Sequence, residues 1–177
     1  MWTKRLLQSM WQCSFRRCVK MTSLHDGELR LEQAVPLIRE LLAMGRTVQF
    51  GPRGKSMRPM LRQGRDKVVL SAVTGRLKKY DLPLYQRDDG QYILHRIVEI
   101  GETYTCIGDN QHVLEYGVRD DQIIAVVTAF IRDGREIPVS SIGYRIYCRV
   151  WHWLRPVKRI LGKVKRAIQR RLPRKHK

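Results

Sequence analysis

Apolar residues Leu31, Ala34, Val35, Ile38, Leu41 and Leu42 recur at i, i+3, i+4, i+7, i+10 and i+11. That spacing puts them on one face of a helix over residues 28–44. Asp26 suits its N-cap and Gly45 its stop, while Pro36 lacks an amide hydrogen and should kink or shorten it. From residue 46 to 139 the period changes. Short runs rich in Val, Ile, Tyr and Thr occupy 47–50, 66–73, 81–87, 91–100, 103–109, 122–132 and 135–139, with Gly, Pro and Asp-Gly signals between them. Such runs read as hairpin-linked strands, hence a mainly β fold: an antiparallel sheet or partly open barrel. Within 91–100, alternation puts Ile93, His95 and Ile97 on one face and Leu94, Arg96 and Val98 on the other. Helical spacing returns over 143–172, where Val150, Leu154, Val157, Leu161, Val164 and Ile168 form a stripe and most basic residues fall outside it. Trp151 and Trp153 lie near its start, and Pro156 divides it into two pieces. With no strand–helix alternation and no glycine-rich phosphate loop, the pattern speaks against a Rossmann-type sheet.

Charge sharpens the division. The 177 residues carry a net charge of +19, which on its own would point to a nucleic-acid partner. Its distribution argues otherwise. Residues 1–20 hold five basic and no acidic residues, and residues 143–177 hold thirteen basic and none acidic. The stretch between them holds seventeen basic and sixteen acidic. The expected organisation is therefore a basic extension at 1–25, a nearly neutral domain with its leading helix at 26–142, and a basic amphipathic tail at 143–177. A nucleic-acid partner is not expected, because the domain itself is nearly neutral. The tail instead suits an anionic membrane surface, the alternative being an apolar face packed on the domain.

No run of apolar residues is long enough for a membrane-spanning helix. Lys4-Arg5 and Arg16-Arg17 leave no clean apolar stretch for a secretory signal, and Met10 and Met21 are alternative starts. Cys13, Cys18, Cys106 and Cys148 form no CxxC pair and read as free thiols of a reducing compartment. Neither a metal nor a cofactor is expected.

A serine becomes a nucleophile only beside a base. Ser56 sits in GPRGKSMRPML, constrained by Gly54 and Pro59, with Met57 and Met60 adding apolar weight. His95 sits in QYILHRIVEI. A lone histidine on an apolar face is, taken alone, better read as a core residue. Three boxes change that assessment. GKSMRPML resembles the serine box of the signal peptidase I superfamily, although Arg65 interrupts the usual Gly-Asp pair as Gly64-Arg65-Asp66. LHRIV resembles the histidine box of the archaeal and endoplasmic-reticulum type, and IGDNQ its Gly-Asp-Asn box; QIIAVV is similar to the closing strand. The boxes occur in family order over residues 45–130. The chain most resembles small bacterial peptidases of this superfamily that lack an N-terminal anchor.

The resemblance implies a serine endopeptidase that cleaves a leader or signal-type peptide. Ser56 would be the nucleophile, His95 the general base and Asp109 the residue that orients the histidine or holds the site together. Arg96 is excluded as base because a guanidinium stays protonated. The reticulum-type family carries a second acid six positions beyond its Asp. Glu115 stands there, one methylene longer, and Asp120 or Asp121 could substitute. Met57, Pro59 and Asn110 would support the site, with the Ser56 N–H in the oxyanion hole. Relatives favour small residues beside the cleavage point and an extended substrate on a sheet edge. The alternative is an inactive member that binds or regulates a peptide. A self-cleaving repressor fits less well, because one helix alone precedes residue 46 and His95 stands where such proteins use lysine. Basic segments tend to stay inside, so the expected location is peripheral, on the cytoplasmic face of a membrane.

Overall fold

The structure is a computed structural model that describes residues 18–20 and 31–154. It is mainly β with two helices, and the chain divides into two compact units, residues 1–141 and 142–177. The first unit holds strands β1 (Cys18–Lys20), β2 (Thr47–Phe50), β3 (Lys67–Ser71), β4 (Pro83–Gln86), β5 (Tyr92–Leu94), β6 (Arg96–Ile100), β7 (Tyr104–Ile107), β8 (Glu115–Val118), β9 (Ile123–Arg132) and β10 (Arg135–Pro138), and helix α1 (Leu31–Ala43).

The expected helical face is the one that α1 buries. Ala34, Val35, Ile38, Leu41 and Leu42 are all buried, and the helix packs beside β2. Pro36 does not end it: the helix runs through, with one amide donor fewer. Gly45, at φ +69°, closes it; the Gly45 amide donates to the Leu42 carbonyl and the Arg46 amide to the Leu41 carbonyl. These are the paired bonds of a left-handed C-terminal cap. The proposed N-cap Asp26 lies outside the described residues.

Two sheets form the β part. The larger runs β1-β2-β3-β9-β4-β5, and β10 shares with β4 the second edge of the long strand β9. The smaller is β6-β7-β8. All pairings are antiparallel except β1 with β2, and among the described strands neither sheet closes into a barrel. Between the sheets lies an apolar cluster of Tyr85 from the large sheet with Ile97, Tyr104, Cys106 and Val118 from the small one. Burial of such side chains contributes about 1.5–3 kcal/mol each.

The run expected as one strand over 91–100 is two. It breaks at His95, where the chain leaves β5 in the large sheet and enters β6 in the small one. Ile93 and Ile97 nonetheless pack against one apolar cluster, and Ile93 lines the cleft together with His95. Apolar residues continue on both sides of the break because β5 is half-buried and the first three residues of β6 are buried, so the pattern carried no mark of the bend.

In the second unit, α2 (Ile142–Trp153) exposes Ile142, Ile146, Val150 and Trp153. Tyr147 and Trp151 stack with ring centroids 5.5 Å apart. Residues of the expected stripe from Val157 onward, and Pro156, lie outside the described residues. No helix among the described residues is long and apolar enough to cross a membrane.

Candidate active site

The loop between β2 and β3 carries Ser56, and it is pinned at several points. Asp66 at its end is buried and accepts from the Arg62 amide at 2.8 Å, from Nε and Nη2 of Arg65, and from Arg132 Nε at 3.0 Å. Burial alone would raise the Asp66 carboxyl, but these donors hold it below its ordinary value. Arg65, the residue that interrupts the expected Gly-Asp pair, is thus half of an ion pair with Asp66. Arg132 also donates to the Met60 carbonyl at 2.6 Å, and Gly54 donates to Gln63 at 3.0 Å. Met57 is buried beneath the loop, and the Arg58–Pro59 peptide is cis. From the opposite side, the Asn110 amide donates to the Ser56 carbonyl at 2.7 Å, and its side-chain nitrogen to the Lys55 carbonyl at 3.2 Å. Asn110 therefore ties the serine loop to the segment after β7.

His95 is 2% exposed and sits at the bend between β5 and β6. Its meeting with Ser56 is fixed by Gly108. A Cβ at Gly108 would lie 3.0 Å from His95 Nε2, 3.1 Å from Ser56 Cβ and 2.8 Å from the Ser56 carbonyl oxygen. Nε2 of His95 and Cβ of Ser56 therefore both border one methyl-sized volume, which only glycine leaves open. Ser56 and His95 also line one cleft of about 150 Å³. Its apolar walls are Phe50 from β2, Leu70 from β3, Leu84 from β4, and β5 along one side, and Arg53 also lines it. β5 is the outer strand of the large sheet at that side.

Behind the ring, His95 Nδ1 lies 2.9 Å from Glu115 Oε1, with the carboxylate off the axis of the ring N–H. A bent approach of this kind is common where a catalytic hydrogen bond tightens only on binding substrate. A proton on Nδ1 leaves Nε2 as the acceptor that faces Ser56. Glu115 is itself held: the Tyr85 hydroxyl donates to Oε2, and Arg87 donates through Nε at 3.0 Å and through Nη2 to the other oxygen. Burial would raise the Glu115 carboxyl, yet Arg87, Tyr85 and His95 together hold it below its usual range. For His95 burial is the larger effect and pushes the imidazole below 6.5, against the opposing pull of Glu115. The ring is therefore neutral at neutral pH, the state in which it can take a proton.

Asp109, expected to orient the histidine or hold the site together, pairs with Arg96. Arg96 Nε and Nη2 each donate to it at 2.8 Å, and both residues are buried. This two-pronged pair locks the start of β6 to the segment after β7. The acid that stands at Nδ1 is Glu115, and its extra methylene fits a position at the start of β8, one strand removed from the ring. Asp121 is not at the site: it pairs with Arg119 on the surface at 3.0 Å. Asp120 accepts from the Tyr104 hydroxyl at 2.6 Å. Arg87 and Tyr85 were not singled out by sequence reasoning. Both lie near the end of β4, and only the alternation that sends Leu84 to the cleft and Tyr85 to the inter-sheet core hinted at the latter. Among family models, curated proteins and solved structures, none matches this chain.

Proposed function

We propose that this chain is a serine peptidase, with Ser56 as nucleophile, His95 as general base and Glu115 as the residue that orients the base. The observation that carries this reading is the meeting of Ser56 and His95 Nε2 around Gly108, with a carboxylate behind Nδ1. Ser56 would attack a peptide carbonyl while Nε2 takes its proton; the imidazolium, supported by Glu115, would return that proton to the leaving amine. The apolar cleft beside the outer strand β5 suits an extended peptide whose backbone pairs with that strand while small or apolar side chains enter the cleft. The pH profile of cleavage tests the base. Because burial lowers the His95 ionisation, activity on a peptide library should be at its plateau at neutral pH. It should fall on the acid side through one ionisation below ~6.5. A rise only toward ~10, the range of lysine, would overturn the assignment of His95.

Peripheral attachment to an anionic bilayer is the second part of the proposal. It is supported by the exposed apolar row Ile142, Ile146, Val150 and Trp153, by Arg145 and Arg149 within the same helix, and by thirteen basic and no acidic residues over 143–177. The full chain should pellet with phosphatidylglycerol vesicles but not with phosphatidylcholine vesicles, and less so as salt rises, since screening acts within ~8 Å at physiological ionic strength. The double substitution Ile146→Asp with Val150→Asp should lower the bound fraction on anionic vesicles. Equal binding to both lipids would contradict the charge term.

A further inference from the structure

The serine loop is cationic where it meets solvent. Between Gly51 and Arg65 it carries Arg53, Lys55, Arg58, Arg62 and Arg65 and no acidic residue. All five are exposed. Arg65 is spent on Asp66. Lys55, Arg58 and Arg62 make no salt bridge among the described residues. The acids nearest the site are engaged elsewhere: Asp66 with Arg65 and Arg132, Asp109 with Arg96, and Glu115 with Arg87 and His95. A rim of unpaired positive charge at Lys55, Arg58 and Arg62 therefore lies on the loop that carries Ser56, and Arg53 of the same loop lines the cleft. Its position is fixed, because the Lys55 carbonyl is held by Asn110 and the Arg58 amide donates to the Lys55 carbonyl at 3.2 Å.

Resting on the peptidase reading, we infer that the preferred substrate carries Asp or Glu within about three residues of the scissile bond, beside small or apolar residues that enter the cleft. An extended chain advances ~3.3 Å per residue, so side chains on either side of the cut pass the rim formed by Lys55, Arg58 and Arg62. A lipid surface is the less suitable occupant of this rim. Of the loop's large apolar residues, Met57 and Leu61 are buried and Met60 is half-buried, so it offers little for insertion between lipids. The charge acts as a selector among peptides, and the cleft supplies the apolar recognition.

The test uses the full chain and a peptide library made by digesting a denatured proteome, with cut positions read by mass spectrometry. Wild-type protein should yield cuts enriched in Asp or Glu within three residues of the bond, and Ser56→Ala should yield none. Two synthetic peptides that share one recovered apolar core, one with flanking Glu and one with flanking Gln, then give the ratio of kcat/KM. Up to about fivefold in favour of Glu is expected for each exposed charge pair, and that ratio should shrink as salt rises. In the triple variant Lys55→Gln, Arg58→Gln, Arg62→Gln the ratio should fall toward one, and cleavage of the Gln peptide verifies that the variant is folded. Wild-type cuts without acidic enrichment would overturn the inference while leaving the peptidase reading in place. Absence of any cut that depends on Ser56 would overturn both. If enrichment is absent and the triple variant instead loses affinity for anionic vesicles, the rim serves a bilayer and the inference is wrong.

Discussion

Alanine at position 56 is expected to reduce peptide cleavage by about a million-fold, to the level that binding and the remaining polar groups can sustain alone. The reason is chemical and confined to one atom. The Ser56 hydroxyl is the only group at the Gly108 gap able to form an acyl-enzyme, whereas the bond that fixes the loop runs from Asn110 to the Ser56 carbonyl, which alanine retains. The fold should therefore be preserved, with a melting temperature within about 2 °C of wild type. Chromatographic assay of a cleaved peptide and a thermal melt on the same sample check both halves. Cleavage at the wild-type rate would remove Ser56 from the mechanism and with it the peptidase reading.

Glu115→Gln should cost about ten-thousand-fold in kcat, because an amide behind Nδ1 no longer favours the tautomer that leaves Nε2 free or supports the imidazolium that forms. The pH profile should move as well, and its direction follows from the charges around the ring. Burial already disfavours protonated His95; Glu115 is the main group that opposes it, and Arg87 works in the same direction as burial. Without the carboxylate charge, only the weaker pull of Asp109 opposes burial and Arg87. The ionisation then falls further, and the acid limb shifts to lower pH even as the plateau drops. Substitution of Asp109 should behave differently. Asp109→Asn strands buried Arg96, and breaking a buried pair in this way destabilises by roughly 3–5 kcal/mol. Loss of fold at one acid and loss of rate with a shifted profile at the other would separate their roles. A Glu115→Gln variant with unchanged rate and profile would assign the orienting role elsewhere.

Much of this arrangement was legible in the sequence because it depends on local period. The buried face of α1 follows directly from its apolar spacing, and the strands from β2 to β10 mostly coincide with the apolar runs. Three features were hidden for physical reasons. β8, with the sequence EYGV, sits at the edge of the small sheet with Tyr116 and Gly117 exposed, so it lacks the apolar content by which a strand is recognised. The bend at His95 lies between half-buried β5 and the buried start of β6 and leaves the hydrophobic pattern unbroken. The choice between Asp109 and Glu115 was settled by which arginine each acid meets, Arg96 on β6 or Arg87 beyond β4, and those meetings exist only once the two sheets have packed. Ser56 and His95 stood out through the boxes around them. That they border one gap is a property of the folded loop and of Gly108.

Gly108 is not held in a left-handed conformation, so its backbone makes no demand for glycine; the demand comes from the space between Ser56 and His95. A chain of this fold could keep every reactive group, serine, histidine and glutamate alike, and be silenced by one added methyl that carries no charge, donates no proton and touches no substrate. In the proposed peptidase this empty volume is a working part of the machinery. A tally of reactive side chains is consequently a poor guide to which chains of this architecture turn over, and the residue two positions before the asparagine that grips the serine loop is the better one to inspect.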